Sequence, residues 1–286
     1  MVDGTIEGTL AAGLDAPPRQ PRPAMPPPWL KPAFTAALAF LPPVLFLAGI
    51  VVLWAVLSAA GVIPSFILPS PAAVGHEFTS NWPVLLKHAL MTSLEAISGF
   101  LIGNTIAVGA AALLTAVPVL KDAFYPYALM SRAVPIVVFT PLFVVLLGRG
   151  LPPIVAIVSF AVYFPTFLNM MRGLNAVDVD YQELLHTLSA SPMQRLRLIQ
   201  FPAAMPYLFA ALKVSASGAF ISSLVTEWIG ANVGLGYLVV VSGQFFKLPM
   251  LWAAIFTSAG LTLALLGIVT LAERLLWRWT GTAREL

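Results

Sequence analysis

Six long stretches of this chain are apolar with few interruptions: Phe34 to Ala60, His88 to Pro118, Ala123 to Leu147, Pro152 to Met171, Tyr207 to Trp228 and Met250 to Arg274. About twenty such residues cross the hydrocarbon layer of a bilayer as a helix. The pattern therefore predicts an all-α membrane protein with six transmembrane helices. Pro42-Pro43 should kink the first span, Pro135 and Pro141 break the third, and Pro165 sits inside the fourth. Gly99, Gly103 and Gly109 on the second are spaced for close helix contact. Ile63 to Trp82 turns polar and proline-rich, an external segment with a short amphipathic helix. Gly230 to Phe246 is too glycine-rich and polar for a span and reads as an external loop whose short helix dips toward the bundle.

The one long polar interval runs from Val177 to Pro206 and has the pattern helix, tight turn, helix. Asp180 and Glu183 have the spacing of a capping box. Tyr181, Leu184, Leu185 and Leu188 then lie at i, i+3, i+4 and i+7, which lays an apolar stripe along a short helix. Ser189-Ala190-Ser191-Pro192 breaks it. Ser191 is placed to cap a second helix, with Pro192 at its first position and Gln194 three residues after the cap. Phe201-Pro202 should stop that helix. A docking element and an amphipathic segment lying at the lipid interface both fit this pattern.

Glu183-Leu184-Leu185, then Ser189, then Ile199-Gln200-Phe201-Pro202 resemble the "EAA…G…I-x-L-P" loop of ABC importer permeases. Val177-Asp178 before it and Ala203-Ala204-Met205-Pro206 after it match as well. Leu68-Pro69-Ser70-Pro71 and Gly234-Leu235-Gly236-Tyr237-Leu238 are similar to stretches of the nitrate/taurine/sulfonate branch, so the likeness covers about residues 65 to 275. Leu184 and Leu185 replace the two alanines, and Ser189 the glycine. The resemblance implies a six-span permease of the type I importer fold working as a pair, with a second copy of the chain as partner. It implies a coupling loop (173–206) that docks on a separate ATPase subunit, which binds ATP and Mg, and an extracytoplasmic binding protein that delivers the solute. Asp178, Glu183, Leu184, Leu185, Leu188, Ser189, Ser191 and Pro202 would form the coupling element. Glu183 would be its charged contact or cap, Ser189 its turn, and the leucines an apolar plug. The implied solute is a sulfonate, taurine, nitrate, bicarbonate or a small heterocycle.

Composition agrees with a lipid environment: 59% of the 286 residues are hydrophobic and only 9% charged, where a soluble domain has about a quarter charged. Residues 1–31 read as a flexible, proline-rich cytoplasmic tail and 280–286 as a short C-terminal one, flanking a permease domain over 32–279. The basic residues are scattered among apolar runs, which does not suggest nucleic acid. With both termini inside, Arg19, Arg22, Lys31, Lys121, Arg172, Arg195, Arg197, Arg274, Arg278 and Arg284 face the cytoplasm, and Lys87, Arg149 and Lys247 the outside. Cytoplasmic loops are enriched in Lys and Arg, so this orientation in a bacterial inner membrane is the expected one.

The sequence has no cysteine, no G-x-x-x-x-G-K-[ST] loop and no H-E-x-x-H, so neither thiolate chemistry nor Walker-type ATP binding by this chain is expected. His76 and His88 lack spaced partners and read as interfacial, and the serines of the fifth span as small packing residues. Arg132 inside the third span costs at least ~2.5 kcal/mol unless paired. It is expected to contact Glu95 on the second span, or else to face the path of an anionic solute. Lys213 should snorkel to the headgroups. The family it resembles has an acid at the place of Glu227, before the Gly-Leu-Gly stretch, which implies that Glu227 with Gly234, Gly236 and Tyr237 is an external gate or loop anchor. A secondary transporter would need inverted repeats and intramembrane acids, of which only Glu95 stands out. A membrane scaffold would need no coupling loop.

Overall fold

The computed structural model describes residues 33–280 except 118, 122 and 124–134. Helices make up all the regular structure among these residues. Residues up to Leu53 and residues from Trp54 onward form two compact units. The first holds most of α1 (Ala33–Ala59), an apolar helix that continues through Pro42 and Pro43. The second holds α2 (Pro71–Ser80), α3 (Trp82–Ala116), α4 (Thr140–Leu147), α5 (Leu151–Leu174), α6 (Val179–Thr187), α7 (Pro192–Arg195), α8 (Phe201–Gly230), α9 (Leu235–Gln244) and α10 (Leu248–Thr280). Five helical segments among the described residues are long and apolar enough to cross a membrane: Leu41–Ala59, Trp82–Ala116, Leu151–Leu174, Pro192–Gly230 and Leu248–Leu276. Much of the expected third span, with Arg132, lies outside the described residues, as do the tail at 1–31 and residues 281–286. What is described of that span is a short 3-10 turn, Ile136–Phe139, leading into α4.

In a soluble helix the buried face is the greasy one. Here α3 is apolar on both faces, and residue size and polarity decide which is buried. Leu90, Leu94, Leu101 and Ile106 are exposed, while Glu95, Ala96, Gly99, Gly103, Asn104 and Ala107 are buried. Lipid is as apolar as leucine, so close backbone approach rather than greasiness drives this packing. The buried face of α3 lies on α5, and α8 covers the next face of α5. Gly103 is the tightest point of the seam. A Cβ there would overlap the Ser159 carbonyl oxygen, and one on Gly99 would meet the Val158 side chain. A Cβ on Gly109, expected in the same role, would meet nothing within 4 Å among the described residues.

A polar bridge ties the three helices at mid-length. Thr166 donates to Asn104 Oδ1 at 2.5 Å and lies 2.9 Å from Ser215 Oγ, while Asn104 Nδ2 donates back to Phe100 O. These groups are buried, and bonding to each other removes the cost of leaving them unpaired in an apolar interior. α10 packs on α8 and α9, and Lys213 meets Glu273 at 2.5 Å between α8 and α10. Lys213 therefore pairs with a neighbouring helix instead of snorkelling freely. A carboxylate within reach satisfies its ammonium without a detour to the headgroups.

Candidate functional site

Two polar constellations stand at opposite ends of the 192–230 segment. The first is the loop between α5 and α8. Its opening helix begins earlier than the Asp180 cap expected from sequence: the Asp178 carboxylate accepts the Asp180 N–H at 3.3 Å, and Gln182 Nε2 donates to Val177 O. The cap is therefore Asp178, and Asp180 lies in the first turn of α6. At the other end Ala190 N–H reaches back to Leu185 O at 2.9 Å, while Ser189 adopts a left-handed φ of 53°. This six-to-one bond around a left-handed residue is the Schellman helix ending, which usually employs glycine. It gives a physical reason for a glycine at this position in similar loops.

Ser191 then starts α7 with a complete capping box: its Oγ accepts from Gln194 N–H, and its own N–H donates to Gln194 Oε1 at 2.8 Å. Contrary to the sequence expectation, Phe201-Pro202 does not stop this helix. α7 passes through a π turn, Leu196–Gln200, directly into α8. Pro202 has no N–H for Leu198, and its ring would crowd that carbonyl in a regular helix. A wider turn just before it accommodates both defects, and such turns are frequent at functional sites.

Tyr181, Leu184, Leu188 and Met193 are exposed on this loop, Leu188 by 67%. Glu183, Asp178, Ser189, Ser191 and Pro202 are exposed too, whereas Leu185 is half-buried. Leu185 lines a cavity of about 170 Å³ with Thr115, Val177, Gln182, Arg195 and Gln200.

The second constellation seats the N-terminus of α9 between α3 and α8. The first N–H groups of a helix have no partner within it, and here side chains supply them. His88 Nδ1 lies 2.9 Å from both the amide nitrogen and the carbonyl oxygen of Gly234, Leu235 N–H donates to Thr92 Oγ1 at 2.7 Å, and Gly236 N–H to Glu227 Oε2 at 2.6 Å. Tyr237 N–H adds a longer bond to the same carboxylate oxygen, and its ring stacks on His88. The Thr92 hydroxyl donates to Glu227 Oε1 at 2.7 Å. Ser223 Oγ lies 3.0 Å from Glu95 Oε2 and 3.3 Å from Glu227 Oε1. The carboxylate also faces the positive end of the α9 dipole. Both glycines are explained by space. A Cβ on Gly234, whose φ is 142°, would overlap the Glu227 carboxylate, and one on Gly236 the Leu224 carbonyl oxygen.

The structure thus joins Glu227, Gly234, Gly236 and Tyr237. Glu95 meets Ser223 beside them, and Arg132 lies outside the described residues. Sequence reasoning missed Thr92 and treated Ser223 as packing. It placed His88 at the interface, yet the ring is largely buried because α9 covers it. The available signal was a polar stripe at i, i+4 and i+7, namely His88, Thr92 and Glu95, in an otherwise apolar helix.

Apolar spanning helices held by small-residue seams, with a locally capped loop at one end, define a multi-pass helical membrane protein. Residues 99–278 match the family described as binding-protein-dependent transport system inner membrane component, and the chain belongs to that family. It is 30% identical over 244 residues to the riboflavin transport system permease protein RibX of Chloroflexus aurantiacus, covering 85% of this chain and 90% of that one. It is 26% identical over 241 residues to the putative aliphatic sulfonates transport permease protein SsuC of Bacillus subtilis, covering 84% and 87%. Its fold is similar to that of a chain in the inward-facing MetNI methionine ABC transporter, with a TM-score of 0.57 at 18% identity over 68% of this chain and 95% of that one. It is an ABC importer permease subunit.

Proposed function

We infer that this chain, paired with a second permease copy, forms the solute path of an importer whose ATP and Mg are bound by a separate ATPase. The loop at 173–206 is the receiving element for that ATPase on the cytoplasmic side, with both chain termini on the same side. A binding protein on the opposite side delivers the solute. The observation that supports this reading best is the loop's combination of local stiffness and exposed apolar side chains. Caps at Asp178 and Ser191 and the Schellman ending at Ser189 fix its shape. Leu184 and Leu188 are then held out toward a partner. A stiff knob continuous with α8 passes on a push, which a slack loop would absorb.

The solute is a small organic anion or a small heterocycle, the two chemistries named for the sulfonate and riboflavin relatives. The test is uptake by whole cells expressing Glu183→Ala or Leu185→Asp. We expect a fall of at least tenfold in each, with the permease still in the membrane and the ATPase still turning over. Full uptake in both variants would rule out docking at this loop.

A further inference from the structure

The seat of α9 contains more acceptors than its hydroxyl hydrogens serve. A serine hydroxyl has one hydrogen, yet Ser223 Oγ lies within bonding distance of both Glu95 and Glu227. Thr92 gives its single hydrogen to Glu227. Glu95 Oε1 is buried and has no hydrogen-bond partner among the described residues. Both carboxyl groups are 0% exposed. Among the described residues the sole ion pair is Lys213–Glu273, so no described cation neutralises either acid. A second buried carboxylate beside the first, unpaired and shielded from water, would be strongly unfavourable.

We propose that Glu95 and Glu227 together hold one proton, carried on Glu95, and that this proton lets α3 and α8 close around the N-terminus of α9. The donors decide which residue carries it. Glu227 receives two backbone N–H groups at a helix N-terminus and the Thr92 hydroxyl, all of which favour the anion. Glu95 receives none of these. Protonated Glu95 donates through Oε2 to Ser223 Oγ, and Ser223 then donates to Glu227 Oε1. Both short contacts become hydrogen bonds, and the chain of donors runs one way, from α3 to α8. The other titratable groups facing the seat are His88 of α3 and Tyr237 of α9, stacked on each other. Neither α5 nor α10 gives either carboxyl a hydrogen-bond partner among the described residues. Without the proton, two like charges would face each other across the α3–α8 seam, and α9 would lose its seat.

Infrared difference spectroscopy on the permease reconstituted in lipid with its ATPase subunit reads this directly. At neutral pH we expect a protonated-carboxyl carbonyl band worth one group per chain. Glu95→Gln removes it, whereas Glu227→Gln and the loop control Glu183→Gln keep it. A wild-type spectrum without that band would overturn the proposal whether or not the variants fold. That result is also what an ionised Glu95 paired with Arg132 would give. Loss of the band in Glu227→Gln with retention in Glu95→Gln would overturn the assignment to Glu95. None of these readouts depends on the loop, so failure here leaves the coupling reading standing.

Discussion

The loop between α5 and α8 and the seat of α9 are both polar islands in an apolar chain, and they are built in opposite ways. Every cap in the loop joins residues two to five positions apart, such as Asp178 with the Asp180 N–H and Ser191 with Gln194. The seat joins residues far apart in sequence: 135 positions separate Thr92 from Glu227 and 146 separate His88 from Gly234. The loop's caps are local and most of it is exposed, as suits the coupling role proposed for it. The seat exists only when three helices meet, and it is buried. The difference predicts that damage to the seat is felt by the whole bundle, whereas damage to the loop stays local.

The largest effect is expected at Glu227. Glu227→Ala strands the Gly236 N–H and the Thr92 hydroxyl in a dry interior, where each unsatisfied group costs about 1–3 kcal/mol. Thermal unfolding in detergent should fall by several degrees, and amide exchange should rise throughout α9. An unchanged melting temperature would remove the distinction between the two regions.

That asymmetry also decided what could be read in advance. The caps and the Ser191 box depend on near neighbours, so a string of residue types is enough to reveal them. Pro202 misled because proline was weighed as a stop, while a π turn let the helix continue. Five of the apolar spans, those within the described residues, were legible from length and composition alone. The partner of Glu95 was not, because Ser223 lies 128 positions away and looks like any small packing residue. Gly99 and Gly109 are equally plausible as contact points in sequence, yet among the described residues only Gly99 meets another helix. Helical phase alone does not say which side α5 occupies.

The smallest effect sharpens the comparison from the other side. Ser189 holds a left-handed φ of 53° without being glycine, a conformation that costs an L-residue about 1 kcal/mol. Ser189→Gly should therefore slow amide exchange at Ala190 by a few-fold, leaving the melting temperature of the bundle and the exchange of α9 unchanged. A change that spread to α9 would mean the loop is not self-contained.

The central claim is that the stiff loop is where another subunit's nucleotide hydrolysis does its work. The chain has no cysteine, so a single one introduced as Leu188→Cys is unique within it. In reconstituted vesicles a short thiol cross-linker should join it to the ATPase subunit, with a yield that changes between nucleotide-free and ATP-bound states. An adduct that never forms, together with labelling of the same cysteine by an impermeant thiol reagent from the outer face of intact cells, would contradict the account.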